Sequence, residues 1–461
     1  MMAEALENQY SATKVRSRQE ELLHMAQDAV KASTADQTLV RVIARDSALT
    51  RFANSEIHQN TFEREANVQI CARVGQREGT VTTNLLTPAA LQEASEQAVA
   101  AARAAEPNPD LADYSSGPRK YPLQVEYSEP TAACTPEERA SIVIAGLSVN
   151  DTAEYKAAGT LNTGAVNVVI VNSHGIEVAY STTTARYTVQ WTGLDSSGYS
   201  ECTARSVGEL DAVGAAVEAL AIAKRSANPR RDLPTGHYTV ILMPECLATM
   251  LNFMTWVGLS GRDFNDGASF MSGRIGEQVT GRDITIGDDP LDPRSLGLPC
   301  DMAGVPKQRL TFIENGVARA VAHDDNSAKQ AGASSTGHDS GRNWPIPINL
   351  ILSPGSSTRD ELIAGVERGV LIHRFHYTNV VDPLATVITG MTRDGTFLVE
   401  NGEVVGGLTN FRFTQNILQA LANNTGISGD LVYHGSFWGS GCLVPDAIRI
   451  DDFNFSGKTE H

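Results

Sequence analysis

Histidines and cysteines are the residues of this chain best suited to metal or nucleophilic chemistry, but their spacing does not form a recognisable site. The ten histidines include one close pair, His373 and His376, in a stretch of strand type. Because side chains alternate along a strand, this odd spacing sends the two imidazoles to opposite faces. We therefore expect no metal site on this chain.

The cysteines show no pairing pattern either. All six are scattered without a CxxC motif, at Cys71, Cys134, Cys202, Cys246, Cys300 and Cys442. Such spacing is typical of reduced thiols in a cytoplasm rather than of a disulfide framework.

Motifs for serine hydrolysis and phosphate binding are missing or incomplete. The sequence has no GxSxG motif. The string Thr336–Ser340 (TGHDS) places a hydroxyl, an imidazole and a carboxylate in one loop, whereas the members of a catalytic triad meet from separate elements. Residues Gly457–Thr459 end like a phosphate-binding loop, but Asp452 stands where that motif needs a glycine.

The stretch that must position any chemistry runs from His237 to Gly276. Its first residues, His237–Met243, are apolar and β-branched, and Pro244 then suits the first turn of a helix. The next apolar residues recur at three and four positions and predict a helix buried on nearly all sides: Leu247, Met250, Leu251, Met254 and Val257. The segment Gly258–Gly276 follows as a glycine-rich, polar loop, the kind of loop on which a rigid scaffold displays functional groups.

The end of this loop, Ser272–Gly276 (SGRIG), resembles a sequence motif of the two-subunit TldD/TldE (PmbA) peptidase family. The turn within Ser47–Asn60 resembles the family's N-terminal signature. Further motifs of the same family are resembled, in the same order along the chain, at Cys300–Val317, Ser327–His338, Asn349–Ile372 and Val381–Phe413. Their number and order extend the resemblance over most of the chain.

In this family the TldD subunits carry HExxxH on the helix that precedes the loop. Aligned without gaps from Ser272–Gly276, its first His falls on Asn252, its Glu on Phe253 and its second His on Val257. Zinc catalysis needs imidazole ligands and a carboxylate base, and these three residues supply neither. The chain therefore resembles the TldE/PmbA-like branch, which lacks the zinc motif. The resemblance also places Cys442 near the third, cysteine ligand of TldD subunits.

The resemblance implies a heterodimer that encloses a chamber for unfolded peptides. We expect this chain to be inactive alone, to carry no cofactor, and to work with a TldD-like subunit that supplies HExxxH and zinc. Candidate substrate-binding residues are Arg274, Arg393 and Asp394. An alternative is a homo-oligomeric peptide-binding or scaffold protein, such as a homodimer, with no catalytic partner. A weaker alternative is a hydrolase that uses Cys442 or a serine.

Composition and charge exclude other classes. The formal net charge is −17 and the pI is about 5.0, with no run rich in Lys or Arg, so nucleic acid is not an expected partner. No apolar stretch reaches the length of a membrane span, and the first residues lack the basic start and apolar core of a signal peptide. We expect a cytoplasmic protein.

The predicted fold class is α+β, with two domains. Residues 1–230 form an N-terminal α/β domain with an antiparallel sheet and flanking helices. Residues 231–461 form a β-rich, barrel-like domain, because short strands and turns dominate after the central helix. The boundary is set by the Pro-rich, charged segment Asn228–Gly236.

Several individual elements are also predicted. Thr87 and Pro88 open a helix to about Ala105, and Thr135–Glu138 forms a capping box for another. Residues 164–192 predict a meander of three short strands, and Val207–Lys224 predicts a helix that buries Leu210, Val213, Val217 and Leu220.

Overall fold

The computed structural model describes residues 18–231, 233–435 and 441–459. The helices are α1 (18–32), α2 (Pro88–Ala104), α3 (Glu129–Ala132), α4 (Pro136–Leu147), α5 (Ala212–Arg225), α6 (Pro244–Gly258), α7 (Gly261–Asn265), α8 (Asp325–Ala331), α9 (Arg359–Ala364) and α10 (Ile417–Ala422), and Val207–Glu209 forms a 3₁₀ turn.

The strands of the N-terminal half are β1 (Gln37–Ala53), β2 (Glu56–Val74), β3 (Arg77–Thr83), β4 (Lys156–Asn172), β5 (Glu177–Thr192) and β6 (Ser197–Ala204). Those of the C-terminal half are β7 (Gly236–Leu242), β8 (Ile286–Asp288), β9 (Leu310–Glu314), β10 (Val317–Ala318), β11 (Asn349–Leu352), β12 (Arg368–Asp382), β13 (Val387–Glu400), β14 (Glu403–Gly407), β15 (Phe411–Asn416), β16 (Asn424–Ile427), β17 (Leu431–Gly435), β18 (Gly441–Pro445) and β19 (Ile448–Lys458).

The N-terminal half is built on one antiparallel sheet with strand order β3-β2-β1-β4-β5-β6. Its long hairpin β1–β2 turns at Asn54 and Ser55, both with positive φ (53° and 63°), which matches the twist of the flanking strands. Helices α1 and α2 pack on the sheet through Leu22, Ala26 and Leu91. The predicted antiparallel sheet with flanking helices is confirmed.

Helix α5 buries Leu220 as predicted, but it does not bury Val213 and Val217. Val213 and Val217 are 45% and 51% exposed, while Ala216 and Ala219 are fully buried. The cause is the close approach of β6, where a Cβ added to Gly198 would lie 2.1 Å from the carbonyl oxygen of Ala219. Only small side chains fit this contact, so the valines face solvent.

The predicted meander over 164–192 is also wrong in detail. The residues expected to form a second and a third strand belong to one uninterrupted strand, β5, which pairs with β4 along its length. A run of threonines, Thr182–Thr184, continues the strand across the expected break. β-Branched residues favour extended backbone, and this explains the continuity.

The C-terminal half contains a closed barrel, which confirms the predicted barrel-like, β-rich region and the α+β class. Strands β12, β7, β19, β15 and β13 pair in that order, and β13 pairs back to β12. A second sheet has the order β10-β9-β8-β11-β18-β17. Helix α6 contacts β12 of the barrel and β18 of the second sheet, so it lies where the two sheets meet.

Some C-terminal elements differ from the pattern in the sequence. Strand β13 contains the end of the strand-like stretch Ala385–Ile388 and the start of Thr396–Val405, whose last residues lie in β14. The stretch Phe413–Asn423, whose pattern favours a helix, begins in β15 and is helical only in α10. The domain boundary at residues 230 and 231 stays a prediction. Within the described residues, no helix combines the length and apolarity needed to cross a bilayer.

Candidate functional site

Helix α6 is the element that positions the candidate site, as predicted. Strand β7 ends at Leu242, and Pro244 occupies the first turn of the helix, where its missing N–H costs nothing. Met250, Leu251 and Met254 are at most 1% exposed. Their burial between the barrel and the second sheet fixes the rotation of the helix about its axis.

Asn252 and Cys442 lie against each other, although 190 residues separate them in the sequence. The Asn252 amide Nδ2 donates to the Cys442 sulfur at 3.7 Å and to the Ala248 carbonyl at 2.8 Å. Burial, together with nearby Asp288, raises the pKa of Cys442 to about 12, against the opposing effect of the bond from Asn252. The thiol is therefore protonated at neutral pH, despite the bond from Asn252.

The other two aligned residues are apolar in their surroundings as well as in type. Phe253 is half-buried and packs edge-on against Trp256, with ring centroids 6.0 Å apart. Val257 is 5% exposed and belongs to the main C-terminal core. Among the residues that the structure describes, no three His, Cys, Asp or Glu side chains are grouped so that they could hold a metal ion.

The first turn of α6 carries a half-buried carboxylate that the sequence analysis did not single out. Glu245 accepts a hydrogen bond from Arg374 Nε at 2.8 Å, and Arg374 NH1 donates to Asp394 at 2.8 Å. Burial raises the pKa of Glu245 to about 8, against the opposing effect of Arg374. Glu201 and Asp394, which are also negative, add to the increase.

Asp394 joins the two halves of the molecule. Its side chain is fully buried, and its Oδ1 accepts from Ser197 Oγ at 2.6 Å and from Gln190 Nε2 at 3.0 Å. Ser197 and Gln190 lie on β6 and β5 of the N-terminal sheet, whereas Asp394 lies on β13 of the barrel. The contact therefore ties the barrel to the edge of that sheet.

The same network continues to a second buried carboxylate, Glu201. The Arg374 guanidinium lies 3.9 Å above the ring of Tyr199, whose hydroxyl donates to Glu201 at 2.6 Å. Arg186 also donates to Glu201 at 2.6 Å, and His434 Nδ1 lies 3.7 Å from its other oxygen. Burial alone would raise the pKa of Glu201, but His434 and Arg186 outweigh it and leave the pKa lowered.

His434 connects this network to Cys442. The two residues are directly opposite each other on β17 and β18, so their side chains share one face of the sheet. Burial lowers the pKa of His434, against the opposing effect of the Glu201 charge. We call the set Arg186, Gln190, Ser197, Tyr199, Glu201, Glu245, Arg374, Asp394 and His434 the Arg374 network.

The predicted substrate-binding residues are not gathered in one place. Arg393 and Asp394 are neighbours, and the Arg393 Nε atom is 3.9 Å from the Asp394 carboxylate. Arg274 instead lies near the end of the glycine-rich loop, where it pairs with Glu277 at 3.4 Å. The role of all three in binding substrate stays a prediction.

Comparison with known proteins decides the family. The C-terminal domain of the PmbA/TldA metallopeptidases matches residues 235–457, and domain 1 of the same metallopeptidases matches residues 39–102. The chain belongs to the PmbA/TldD metallopeptidase family. The resemblance stated from the sequence is thereby confirmed.

Individual relatives of this PmbA/TldD chain differ in how much of their length it covers. An uncharacterized protein of Methanocaldococcus jannaschii is 29% identical over 199 residues, 42% of this chain and 46% of the relative. A metalloprotease PmbA homolog of Haemophilus influenzae is 24% identical over 450 residues, 92% of this chain and 93% of the relative. The chain thus spans less than half of the archaeal relative and nearly all of the bacterial one.

The fold of the PmbA/TldD chain is shared with a solved structure. The crystal structure of TldE from Thermococcus kodakarensis superposes with a TM-score of 0.83, covering 95% of this chain and 100% of that one. The sequences are 20% identical, so the likeness concerns the fold.

Sequence reasoning found α6 and its aligned residues but missed most of the Arg374 network. Glu245, Arg374 and Glu201 carry no spacing that links them, because they lie on α6, β12 and β6. The only local signal was an acidic residue in the first turn of α6, which is a common helix-dipole feature. Strands β17 and β18, which carry His434 and Cys442, were not predicted.

Proposed function

We propose that this chain is the non-metal subunit of a TldD/TldE-type metallopeptidase. It binds or encloses unfolded peptide and stabilises a TldD-like partner, which supplies HExxxH and zinc for peptide-bond hydrolysis. The chain alone is inactive and carries no cofactor. We place the complex in the cytoplasm.

The contact between Asn252 and Cys442 is the observation that carries the proposal. A zinc site is built from imidazole, thiolate or carboxylate ligands. Here the group that faces the sulfur is an amide N–H, which donates a hydrogen bond and has no lone pair to offer. The sulfur is itself protonated, so the residues present do not fit a zinc ion.

Phe253 and Val257 support the same conclusion from the hydrolysis side. A general base must accept a proton from the attacking water, and an aromatic ring in contact with Trp256 has no group that can do so. Val257 lies in an apolar core, where an ionisable replacement would be costly. The chemistry must therefore come from another chain.

The test is to purify the chain alone and together with a TldD-type subunit. We expect the lone chain to contain far less than one zinc per molecule by elemental analysis and to leave an unstructured fluorogenic peptide intact. Co-expressed with an HExxxH-bearing TldD-type chain from the same organism, it should form a stable complex that contains zinc and cleaves the peptide. A matched complex in which the partner's HExxxH glutamate is changed to glutamine should assemble but not cleave.

Two results would contradict the proposal. Stoichiometric zinc in the lone chain, or peptide cleavage by it, would show that it has its own active site. A native complex from cell extract that contained only copies of this chain would favour the homo-oligomeric scaffold instead. Size-exclusion chromatography with mass spectrometry of the native complex distinguishes these outcomes.

A further inference from the structure

An open sheet edge lies far from α6, in the N-terminal half. Strand β5 pairs with β4 over the whole range Glu177–Thr192 but with β6 only from residue 185 onward. Within the described part of the chain, residues 177–184 therefore have a strand neighbour on one side only. A strand edge of this kind presents unpaired backbone N–H and C=O groups.

The direction of those backbone groups follows from two hydrogen bonds. Asn172 N donates to the Ile176 carbonyl, so the backbone of residue 176 points toward β4. The Thr183 carbonyl accepts from Arg205, which follows β6 on the outer side. Since the direction alternates along a strand, the backbone groups of Ala179 and Ser181 point outward, away from β4.

An extended segment, 121–127 (YPLQVEY), runs beside this edge without joining the sheet. Its burial alternates residue by residue, with Tyr121, Leu123, Val125 and Tyr127 half-buried and the residues between them exposed. No backbone–backbone hydrogen bond links it to another described residue, although the Glu126 carbonyl accepts from Thr182 Oγ1 at 3.4 Å. The segment has the alternation of a strand but lacks strand partners.

A groove of about 950 Å³ is lined by the segment and by β5. The chain touches β5 beside the groove, where the Glu126 carbonyl accepts from Thr182 Oγ1 and Ser128 N donates to Thr183 Oγ1. The lining of the groove includes Ala179 and Ser181 on one side and segment 121–127 on the other. An extended chain laid along the open edge of β5 would pair its backbone with Ala179 and Ser181. The groove therefore has the geometry of a site for strand addition.

The side chains of the groove define the kind of chain that fits. Its described lining contains Glu126, Glu129 and Glu209 but no Lys, Arg or His. The Glu129 Oε2 atom is buried and has no hydrogen-bond partner among the described residues. The remaining surface is largely aromatic and aliphatic, from Tyr121, Leu123, Val125, Tyr127, Val178 and Tyr180.

We propose that the open edge of β5 at Ala179 and Ser181, together with segment 121–127, binds an extended polypeptide that alternates apolar and basic residues. Backbone pairing provides the affinity, and the three carboxylates select for positive charge. The site gives the proposed peptide-binding role a location. It rests on that role and does not depend on the catalytic partner. Because it is measured on this chain without a partner, its failure would leave the test of the catalytic complex untouched.

The experiment uses the full chain and a labelled ten-residue peptide of alternating valine and lysine, with binding followed by fluorescence anisotropy. We expect saturable binding that weakens as salt is raised. A valine–glutamate peptide of the same length should not bind. The valine–lysine peptide methylated on every second backbone nitrogen should bind at least about tenfold more weakly, because it has lost one row of donors.

Two variants test the site itself. Ala179→Pro removes only an outward N–H and leaves the ladder with β4 intact, so the chain should fold and lose at least about tenfold in affinity. Independently, Glu126→Gln, Glu129→Gln and Glu209→Gln together should weaken binding by about tenfold at low salt, with a smaller effect at high salt. The matched control, Glu93→Gln, Glu96→Gln and Glu106→Gln on and after α2, changes the net charge equally and should stay within about twofold.

Three outcomes would overturn the proposal. The first is equal binding of the acidic and the basic peptide, and the second is unchanged peptide affinity in both groove variants. The third is that the chain binds no peptide but associates with itself, and that Ala179→Pro abolishes this self-association. The last would assign the edge to a second copy of the chain.

Discussion

At the scale of single residues, Asn252 aligns with the first zinc-binding histidine of the motif, but its role is different because it contacts Cys442. The amide holds a buried thiol and caps a carbonyl of its own helix. Both contacts are structural, and the amide nitrogen that faces the sulfur has no lone pair to offer a metal ion. The residue types alone suggested lost ligands, and their contacts explain what the replacements do.

Cys442 should be unreactive in the folded protein. It is fully buried, and with a pKa of about 12 only about one thiol in ten thousand is ionised at pH 8. We expect no alkylation of Cys442 by iodoacetamide at pH 8, as read by peptide mass spectrometry, and full alkylation in urea. Rapid labelling of the native protein would instead indicate an accessible thiolate, as in a nucleophile or metal ligand.

Glu245 should make stability depend on pH. Its pKa of about 8 lies above the ordinary value of about 4.3, so the folded state keeps a proton that the unfolded chain releases. This contribution to stability is present at low pH and is lost as the pH rises from about 4 to about 8. Relative to Glu245→Gln, the native protein should lose on the order of 2 kcal/mol between pH 5 and pH 8, less than the full shift implies because neighbouring carboxylates titrate with it.

Urea unfolding at the two pH values, on the native protein and on Glu245→Gln, measures this difference. The glutamine variant retains a partner for Arg374 but cannot ionise, so it serves as the reference. Parallel stability curves for the two proteins would show that Glu245 is ionised in the folded state at pH 5 as well as at pH 8.

At the scale of elements, close backbone approach decides which residues face inward. Helix α5 has valines at helical spacing, yet β6 lies so near that alanines occupy the contact. Amphipathic spacing predicts that a helix buries one face. It cannot decide between a face of large apolar side chains and a face of small ones when the distance to the neighbouring strand is unknown. Capping signals are safer, because they involve adjacent residues: the box at Thr135 and Glu138 is present as predicted.

Gly198→Ala should destabilise the protein. The new Cβ would lie 2.1 Å from the Ala219 carbonyl oxygen and 2.5 Å from the Ala223 nitrogen, both of which are backbone atoms that can move only with the helix. We expect a loss of about 1–3 kcal/mol in the free energy of unfolding.

Gly208→Ala is the matched control, because the nearest atom to its Cβ is the flexible Ser206 Oγ at 3.8 Å. It should change stability by less than about 0.5 kcal/mol. Equal effects of the two substitutions in urea unfolding would refute the tight contact between β6 and α5.

At the scale of the whole molecule, the Arg374 network joins the N-terminal sheet to the barrel and to the first turn of α6. Arg374 sits between Glu245 and Asp394 and also packs on Tyr199. Buried charges of this kind contribute little net stability as a set, but the loss of one partner leaves the others uncompensated. The network therefore fixes how the two halves meet more than it adds to stability.

At neutral pH Arg374→Met should be strongly destabilising, by about 3–5 kcal/mol, because it leaves the fully buried Asp394 carboxylate without its cation, whereas Glu245 keeps its proton. Adding Asp394→Asn and Glu245→Gln to Arg374→Met should recover part of that loss. Arg393→Met, next to the same carboxylate but 44% exposed, should cost less than about 0.5 kcal/mol. Urea unfolding of the four proteins measures these effects, and a mild effect of Arg374→Met would contradict the role of Arg374 as the cation that Asp394 requires.

The sequence by itself determined the local features of this protein. Pro244 and the apolar residues after it defined α6, and Thr87 with Pro88 defined the start of α2. The absence of HExxxH at Asn252, Phe253 and Val257 could be read once the family motifs were recognised. These signals depend on residues close together in the chain, where spacing and chemistry act directly.

Only the tertiary structure decided which distant groups meet. Asn252 meets Cys442, Asp394 meets Ser197, and β13 closes on β12, in each case across elements whose relative positions no local pattern specifies. A charged residue such as Glu245 or Arg374 has the same sequence signature whether it is solvated or buried. Its environment follows from packing of the two halves, because burial and partner, rather than residue type, set the pKa and the energy of a charge.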